Sequence, residues 1–362
     1  MHNLSYLVAL HKVAGLGFSR ITNLLQHFGD PKLIWEASSS ALRELKIPQY
    51  VIEEIIQSKK ETDPEEYYQQ LIAKGIKIIT FFDEDYPKSL KNISTPPLIL
   101  YYYGILPRFA HNDGKRSIGV VGTRRITSYG KVVTEQFTKA LVEADFIIVS
   151  GLARGVDTCA HQTTLNNGGV TIAVLGGGLE NIYPAENQML AEKIIEAGGA
   201  VTSEFPPHYQ SMPGNFPARN RIIAALSQAV LVTEADQDSG SLITAHFAAE
   251  FGKDVFAIPG PVTSQLSKGP IGLIKEGAKA VFSPEDIFED LGIKHRNSLI
   301  KDTSHLSDDQ KQILEILEFE EVHIDEIARR LNQPIISLSA LLVRMEISGL
   351  VKNIGNGVYI RI

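Results

Sequence analysis

Cysteine is nearly missing from this chain of 362 residues: Cys159 stands alone. One thiol excludes an internal disulfide and any zinc site built on several cysteines, and it fits a reducing compartment. Basic charge is not in excess, because Lys+Arg 35 against Asp+Glu 42 leaves a net charge of −7. A polyanion binder held by bulk charge is therefore excluded, and any nucleic-acid site has to be a local patch. Long hydrophobic runs are lacking as well, since none approaches the roughly 20 apolar residues of a membrane span. The apolar stretch 4–10 is interrupted by Ser5, ended by His11 and Lys12, and has no basic leader, which points to a cytoplasmic protein. Familiar catalytic signatures are absent too: there is no P-loop, no HExxH and no G-x-S-x-G.

What is present centres on residues 117–260. Short apolar runs there keep ending in glycine and give way to a helix start: 117–122 (SIGVVG), 146–151 (FIIVSG), 171–178 (TIAVLGGG) and 254–260 (DVFAIPG), with 229–234 (AVLVTE) running on into ADQDSGS. Helical stretches lie between them, one carrying Val133, Phe137, Ala140, Leu141 and Ala144 three and four apart. Strands apolar throughout, alternating with helices, predict a mostly parallel sheet covered on both faces. Ligands of such sheets sit at the carboxyl ends of the strands, where helix N-termini and free N–H groups attract anions. That edge carries Arg124, Arg125 and Arg154 among the glycines and reads as a phosphate-binding edge.

The length allows two or three domains. Residues 1–75 read as helices only, with 4–13 and 18–28 joined by Gly15-Leu16-Gly17 in the manner of a helix-hairpin-helix or SAM-like unit. A weaker second copy lies at 41–56. A plain helical bundle that uses glycines merely to turn is the alternative. Residues 76–290 hold a lead-in with Asp85-Tyr86-Pro87 and Pro96-Pro97, whose composition explains no function, and then the α/β region. Within it, 203–221 carries Pro206, Pro207, Pro213 and Pro217 and is expected to be an irregular loop, with a helix beginning near Arg219. Phe216, Arg219, Asn220 and Arg221 form an aromatic-plus-basic cluster able to contact bases and phosphates together. The alternative is a covering loop whose arginines pair with nearby carboxylates. Residues 291–304 read as a polar linker. Residues 305–362 read as three helices and a hairpin turning at Asn356-Gly357, a winged helix. Its charges, Lys+Arg 6 against Asp+Glu 9, give −3, so a protein-contact module is expected rather than a strong duplex reader.

Two enzymatic alternatives can be weighed on motifs. The dinucleotide fingerprint fails, because Gly176-x-Gly178 is followed by Asn181 where a third glycine is needed. The nucleoside-monophosphate hydrolases of the lysine-decarboxylase-like family carry P-G-G-x-G-T-x-x-E after a strand. Residues 238–244 (DSGSLIT) keep small residues but lack that glutamate, leaving Glu204 and Glu234 as the carboxylates to test. Both are alternatively expected to pair with neighbouring arginines. His161 and His246 fall in helical patterns and read as packed or solvated. Cys159 lies near a helix start, which would lower its pKa if exposed, and otherwise reads as a small buried residue.

The combination Asp85-Tyr86-Pro87, Pro96-Pro97, Val121-Gly122-Thr123-Arg124, Ser150-Gly151-Leu152-Ala153-Arg154-Gly155-Val156-Asp157, Leu175-Gly176-Gly177-Gly178, Tyr183-Pro184, Asn187, Ser203-Glu204, 217–223 (PARNRII), Ser239-Gly240-Ser241 and Ile258-Pro259-Gly260 resembles the DNA-processing protein A (DprA, also called Smf) family from about residue 80 to 290. Thr123 departs from the serine of many members and keeps the hydroxyl. The resemblance implies an extended Rossmann-like fold flanked by helical and winged-helix units, with no catalysis, cofactor or metal. It further implies a cytoplasmic protein that binds incoming single-stranded DNA in natural transformation, dimerises through the α/β region and helps load the RecA recombinase. The DNA-contacting set expected on this basis is Gly122, Thr123, Arg124, Arg125, Gly151, Arg154, Gly176, Gly177, Gly178, Tyr183, Asn187, Phe216, Arg219, Asn220, Arg221, Ser239, Gly240 and Ser241.

Overall fold

The structure, a computed structural model, describes residues 3–107, 116–293, 306–317, 321–348 and 350–361. The expected linker lies, from residue 294 on, outside the described residues. The chain divides into two compact units, Met1–Ile293 and Lys294–Ile362.

The first unit is built on a sheet of β1 Lys77–Thr80, β2 Ile99–Gly104, β3 Arg116–Val121, β4 Phe146–Ser150, β5 Thr171–Val174, β6 Ala200–Ser203, β7 Ala229–Val232, β8 Asp254–Ala257 and β9 Lys279–Ala280. The strand order is β1-β2-β6-β5-β4-β3-β7-β8-β9. Every pair from β6 to β9 is parallel, and β2 is antiparallel to both β6 and β1. Strands β4, β5, β6 and β7 are buried at every residue, as a sheet covered on both faces requires. The chain leaves β3 on one side and comes back from β6 to β7 on the other. That reversal opens a crevice between the carboxyl ends of β3 and β7.

One face of the sheet packs Ile222, Ile223, Leu226, Ala245 and Ala248 of the helices Asn215–Leu226 and Gly240–Glu250 against Val121, Val230 and Val232. The other packs Phe137, Leu141, Val156 and Phe288 against Ile118, Phe146, Ile148 and Phe256. The amino-terminal helices share a core with the sheet edge: Leu7, Leu10, Ile21, Leu24 and Ile52 lie with Ile99, Tyr101, Val201 and Ile194. The turn between the helices Leu4–Lys12 and Phe18–Phe28 uses Gly15 at φ 83, a left-handed conformation that suits glycine.

The helix expected near Arg219 begins four residues earlier, at Asn215. Pro217 falls in its first turn, where no N–H has an intrahelical partner, so proline costs nothing there. The irregular segment therefore shrinks to 204–214.

In the second unit the helices Asp308–Ile316, Ile324–Leu331 and Ile335–Ile347 accompany a small sheet of β10 Val322–His323, β11 Val351–Gly355 and β12 Val358–Arg361, ordered β10-β12-β11. Ile313, Ile327, Leu338, Leu342, Met345, Val351 and Tyr359 form its core. Asn356 and Gly357 have φ of 50 and 75, the two positive values that a type I′ hairpin turn demands.

Candidate nucleic-acid interface

A cleft of about 660 Å³ opens at the crevice between β3 and β7. Gly122–Arg125 form one wall. Gly122 is forced by packing, since a Cβ there would stand 2.6 Å from Val156 Cγ2 and 2.7 Å from the Glu234 carbonyl. The Thr123 N–H donates to the Glu234 carbonyl at 2.7 Å, and its hydroxyl oxygen accepts from the Arg125 N–H at 3.1 Å. The turn so fixed leaves Arg124 and Arg125 exposed along the cleft.

The opposite wall is the start of the helix Gly240–Glu250. Ser239 caps it, its hydroxyl oxygen accepting from the Ser241 N–H at 3.4 Å, and the space around Gly240 is open. This helix end carries partial positive charge and N–H groups without intrahelical partners. Asn220 steadies it by donating from Nδ2 to the Gly240 carbonyl at 2.9 Å. Between the walls stands Phe216, half-buried, with the Arg124 guanidinium 5.1 Å from its ring centroid and the Tyr183 ring 5.8 Å away at 49°. Tyr183 is 48% exposed. The cleft thus joins exposed cationic groups, aromatic faces and a helix N-terminus.

Arg219 lines the cleft but is 4% exposed, and Nη1 donates to the carbonyls of Gly151 and Val174. Its Nε has no partner among the described atoms. Burial pushes the guanidinium down to about 10, opposed by the nearby Asp157 carboxylate. Asp157 is itself buried, which raises its pKa, while Arg219 and the N–H groups of Ala153 and Gly151 pull it back. Through these backbone bonds the two residues brace the ends of β4 and β5 from beneath the cleft.

Other residues of the expected set lie elsewhere. Arg221 faces away from the cleft, bidentate to Glu204 at 2.7 and 2.6 Å and bonded to the Thr95 carbonyl at 3.0 Å. Gly176, Gly177 and Gly178 are buried beneath the 204–216 segment: a Cβ would meet the Phe216 ring, Ser211, and the Pro206 and Pro207 carbonyls respectively. The Gly178 N–H is already given to the Tyr209 carbonyl at 2.7 Å. Close packing, rather than an approaching phosphate, is what these glycines visibly serve. Gly151 leaves room for the Arg219 guanidinium. Asn187 is buried, donating to the Leu152 carbonyl and the Thr158 hydroxyl, each at 2.8 Å. Arg154 borders a side recess that it shares with Arg124, Tyr183 and Phe216, and it pairs with Glu186.

Glu204 pairs with an arginine as expected, but Glu234 does not. Its carboxylate accepts from the Thr127 N–H at 3.0 Å and hydroxyl at 2.6 Å, because Thr127 caps the helix Ser128–Glu143 at that point. His161 is buried with Nδ1 2.7 Å from the Thr171 hydroxyl, and exposed His246 pairs with Glu276. Burial raises the pKa of the free Cys159 thiol, so it is not an activated nucleophile.

Sequence reasoning missed three carboxylates of the cleft: Asp157, Asp236 and Asp238. Their signal was Asp157 closing 150–157 and the Asp-x-Asp at 236–238, in the loop after β7. They match Arg124, Arg125 and Arg219 one for one, so attraction of an anion rests on exposure and direction, not on net charge. Among the described residues no group of His, Cys, Asp or Glu could hold a metal ion, and no helix is long and apolar enough to cross a membrane.

The family model for DNA recombination-mediator protein A matches residues 77–292, and that for the DprA winged helix domain matches 301–357. Protein Smf of Synechocystis sp. is 41% identical over 289 residues, covering 80% of this chain and 72% of that one. DNA processing protein DprA of Bacillus subtilis is 38% identical, covering 76% and 94%. Among solved structures, DNA processing protein A from Streptococcus pneumoniae superposes with a TM-score of 0.68 at 35% identity, over 80% of this chain and 98% of that one. That from Helicobacter pylori, described for its single-stranded DNA binding mode, gives 0.52 at 29% identity over 60% and 95%. With both domain models, the curated relatives and the Streptococcus pneumoniae structure in agreement, the chain belongs to the DNA recombination-mediator protein A family.

Proposed function

We propose that this protein binds single-stranded DNA in the β3/β7 cleft, without catalysing a reaction, and delivers it to a RecA-type recombinase during natural transformation in the cytoplasm. The observation that carries the reading is the convergence of Arg124, Phe216, Tyr183 and the open start of the helix at Gly240 in one cleft. Phosphates would take the guanidinium groups and the helix N–H groups, and bases would stack on the aromatic faces. Neither contact reads a base edge, so binding is indifferent to sequence. Support also comes from the Helicobacter pylori relative and its stated single-strand binding. Of the expected set, Arg124, Arg125, Tyr183, Phe216, Ser239, Gly240 and Ser241 would touch DNA, with Arg154 beside them. Arg219, Arg221, Asn187 and the other glycines would hold the frame. The α/β unit would pair with a second copy, and the acidic winged helix would take a protein partner.

Arg124→Ala tests this. Loss of one charge-assisted phosphate contact removes about 1.5–3 kcal/mol, roughly ten- to more than a hundredfold in affinity for a labelled single strand. Unchanged affinity would contradict the placement. A mixture of nucleoside monophosphates incubated with the protein should show no new peak on chromatography, and an enzyme-dependent product would establish the hydrolase alternative instead.

A further inference from the structure

Arg154 borders the recess beside Phe216 and Tyr183 with one bidentate edge already occupied. Nε donates to Oε1 of Glu186 and Nη2 to Oε2, both at 2.8 Å. The carboxylate is not there by chance of a loose surface chain. Asn187, its neighbour, is buried and ties the segment by two hydrogen bonds to Leu152 and Thr158, on either side of Arg154. Glu186 is thereby built in at the place where an anion would approach the arginine. A carboxylate on Nε and Nη2 takes one of the two bidentate edges of the guanidinium, so a phosphate seeking that edge has to displace it, while the Nη1/Nη2 edge stays open.

We propose that Glu186 is an affinity-limiting residue, a resident stand-in for phosphate that a DNA strand must displace before Arg154 can take a phosphate on its Nε/Nη2 edge. The inference rests on the single-strand reading above. The two side chains are 55% and 56% exposed, and pairs so placed are weak and salt-screened, so exchange is reversible. Arg154 then adds its full grip only while a phosphate competes successfully, and the strand is held without becoming hard to release. Arg124, in the same cleft, has no such carboxylate bonded to it among the described contacts and faces an aromatic ring instead.

The test is Glu186→Gln in the full chain, which keeps the side-chain shape and one acceptor while removing the charge. Single-strand affinity should rise about three- to tenfold at low salt. The slope of log affinity against log salt should steepen by about 0.7, the increment of one further phosphate contact. In the Arg154→Ala background the same change should leave the slope unaltered. Unchanged or weaker binding by Glu186→Gln, or a steepening that persists without Arg154, would overturn the proposal while leaving single-strand binding intact. Absence of single-strand binding by the unaltered protein would remove both.

Discussion

Arg221 and Glu204 meet through two hydrogen bonds with side chains only 11% and 15% exposed, while Arg124 lies open over the Phe216 ring. The two arginines therefore answer differently to truncation. Arg221→Ala strands a carboxylate in a largely desolvated place and cuts the tie to Thr95. It should cost about 2–3 kcal/mol in a urea unfolding experiment, somewhat below the roughly 3–5 kcal/mol of fully buried pairs. The salt slope of DNA binding should not move. A changed slope with unchanged stability would put Arg221 in the cleft after all. Nothing local in the sequence distinguishes these residues. Residue type shows that a charge exists, whereas its being spent internally depends on partners such as Glu204, 17 positions away, or Thr127 and Glu234, 107 apart.

Strands and helices of the α/β region were legible because burial on both faces leaves a run of apolar residues that little else produces. The lead-in was not legible. Its meaning appears only in packing: Tyr86 is fully buried, donates to the Pro97 carbonyl at 2.6 Å, and lies in one core with Ile222 and Leu226 of the helix that carries Phe216 and Arg219. Two histidines, His161 buried and His11 half-buried, join elements in the same way. His161 ties its helix, Val156–Asn166, to Thr171 of β5, and His11 ties the first helix to Tyr101 of β2 at 3.1 Å. Burial pushes His11 down to about 4 and His161 to about 3. An unfolded chain protonates them near 6.5 and the folded one does not, so below about pH 6.5 the unfolded state binds more protons. Stability is thus full above that pH and falls as pH drops toward 4, by on the order of 3 kcal/mol for His11. Unfolding midpoints at pH 7, 5.5 and 4.5 should fall less steeply for His11→Phe than for the unaltered protein. Parallel curves would mean that His11 protonates freely in the folded state.

At the scale of the whole molecule the charge is −7, and the lining of the cleft matches three arginines with three aspartates. Affinity must then come from a few directed contacts, which a flexible single strand can satisfy by bending its backbone and offering base faces. A duplex hides those faces inside its stack, and the winged-helix region, at −3 with Arg344 the only base of its third helix, offers little to hold one. Titrating the full chain with one labelled oligonucleotide, single-stranded and then annealed, across a salt series compares the two directly. The account predicts clear preference for the single strand at moderate salt, with a slope near −0.7 for each phosphate neutralised. Equal affinity for the two forms would contradict it.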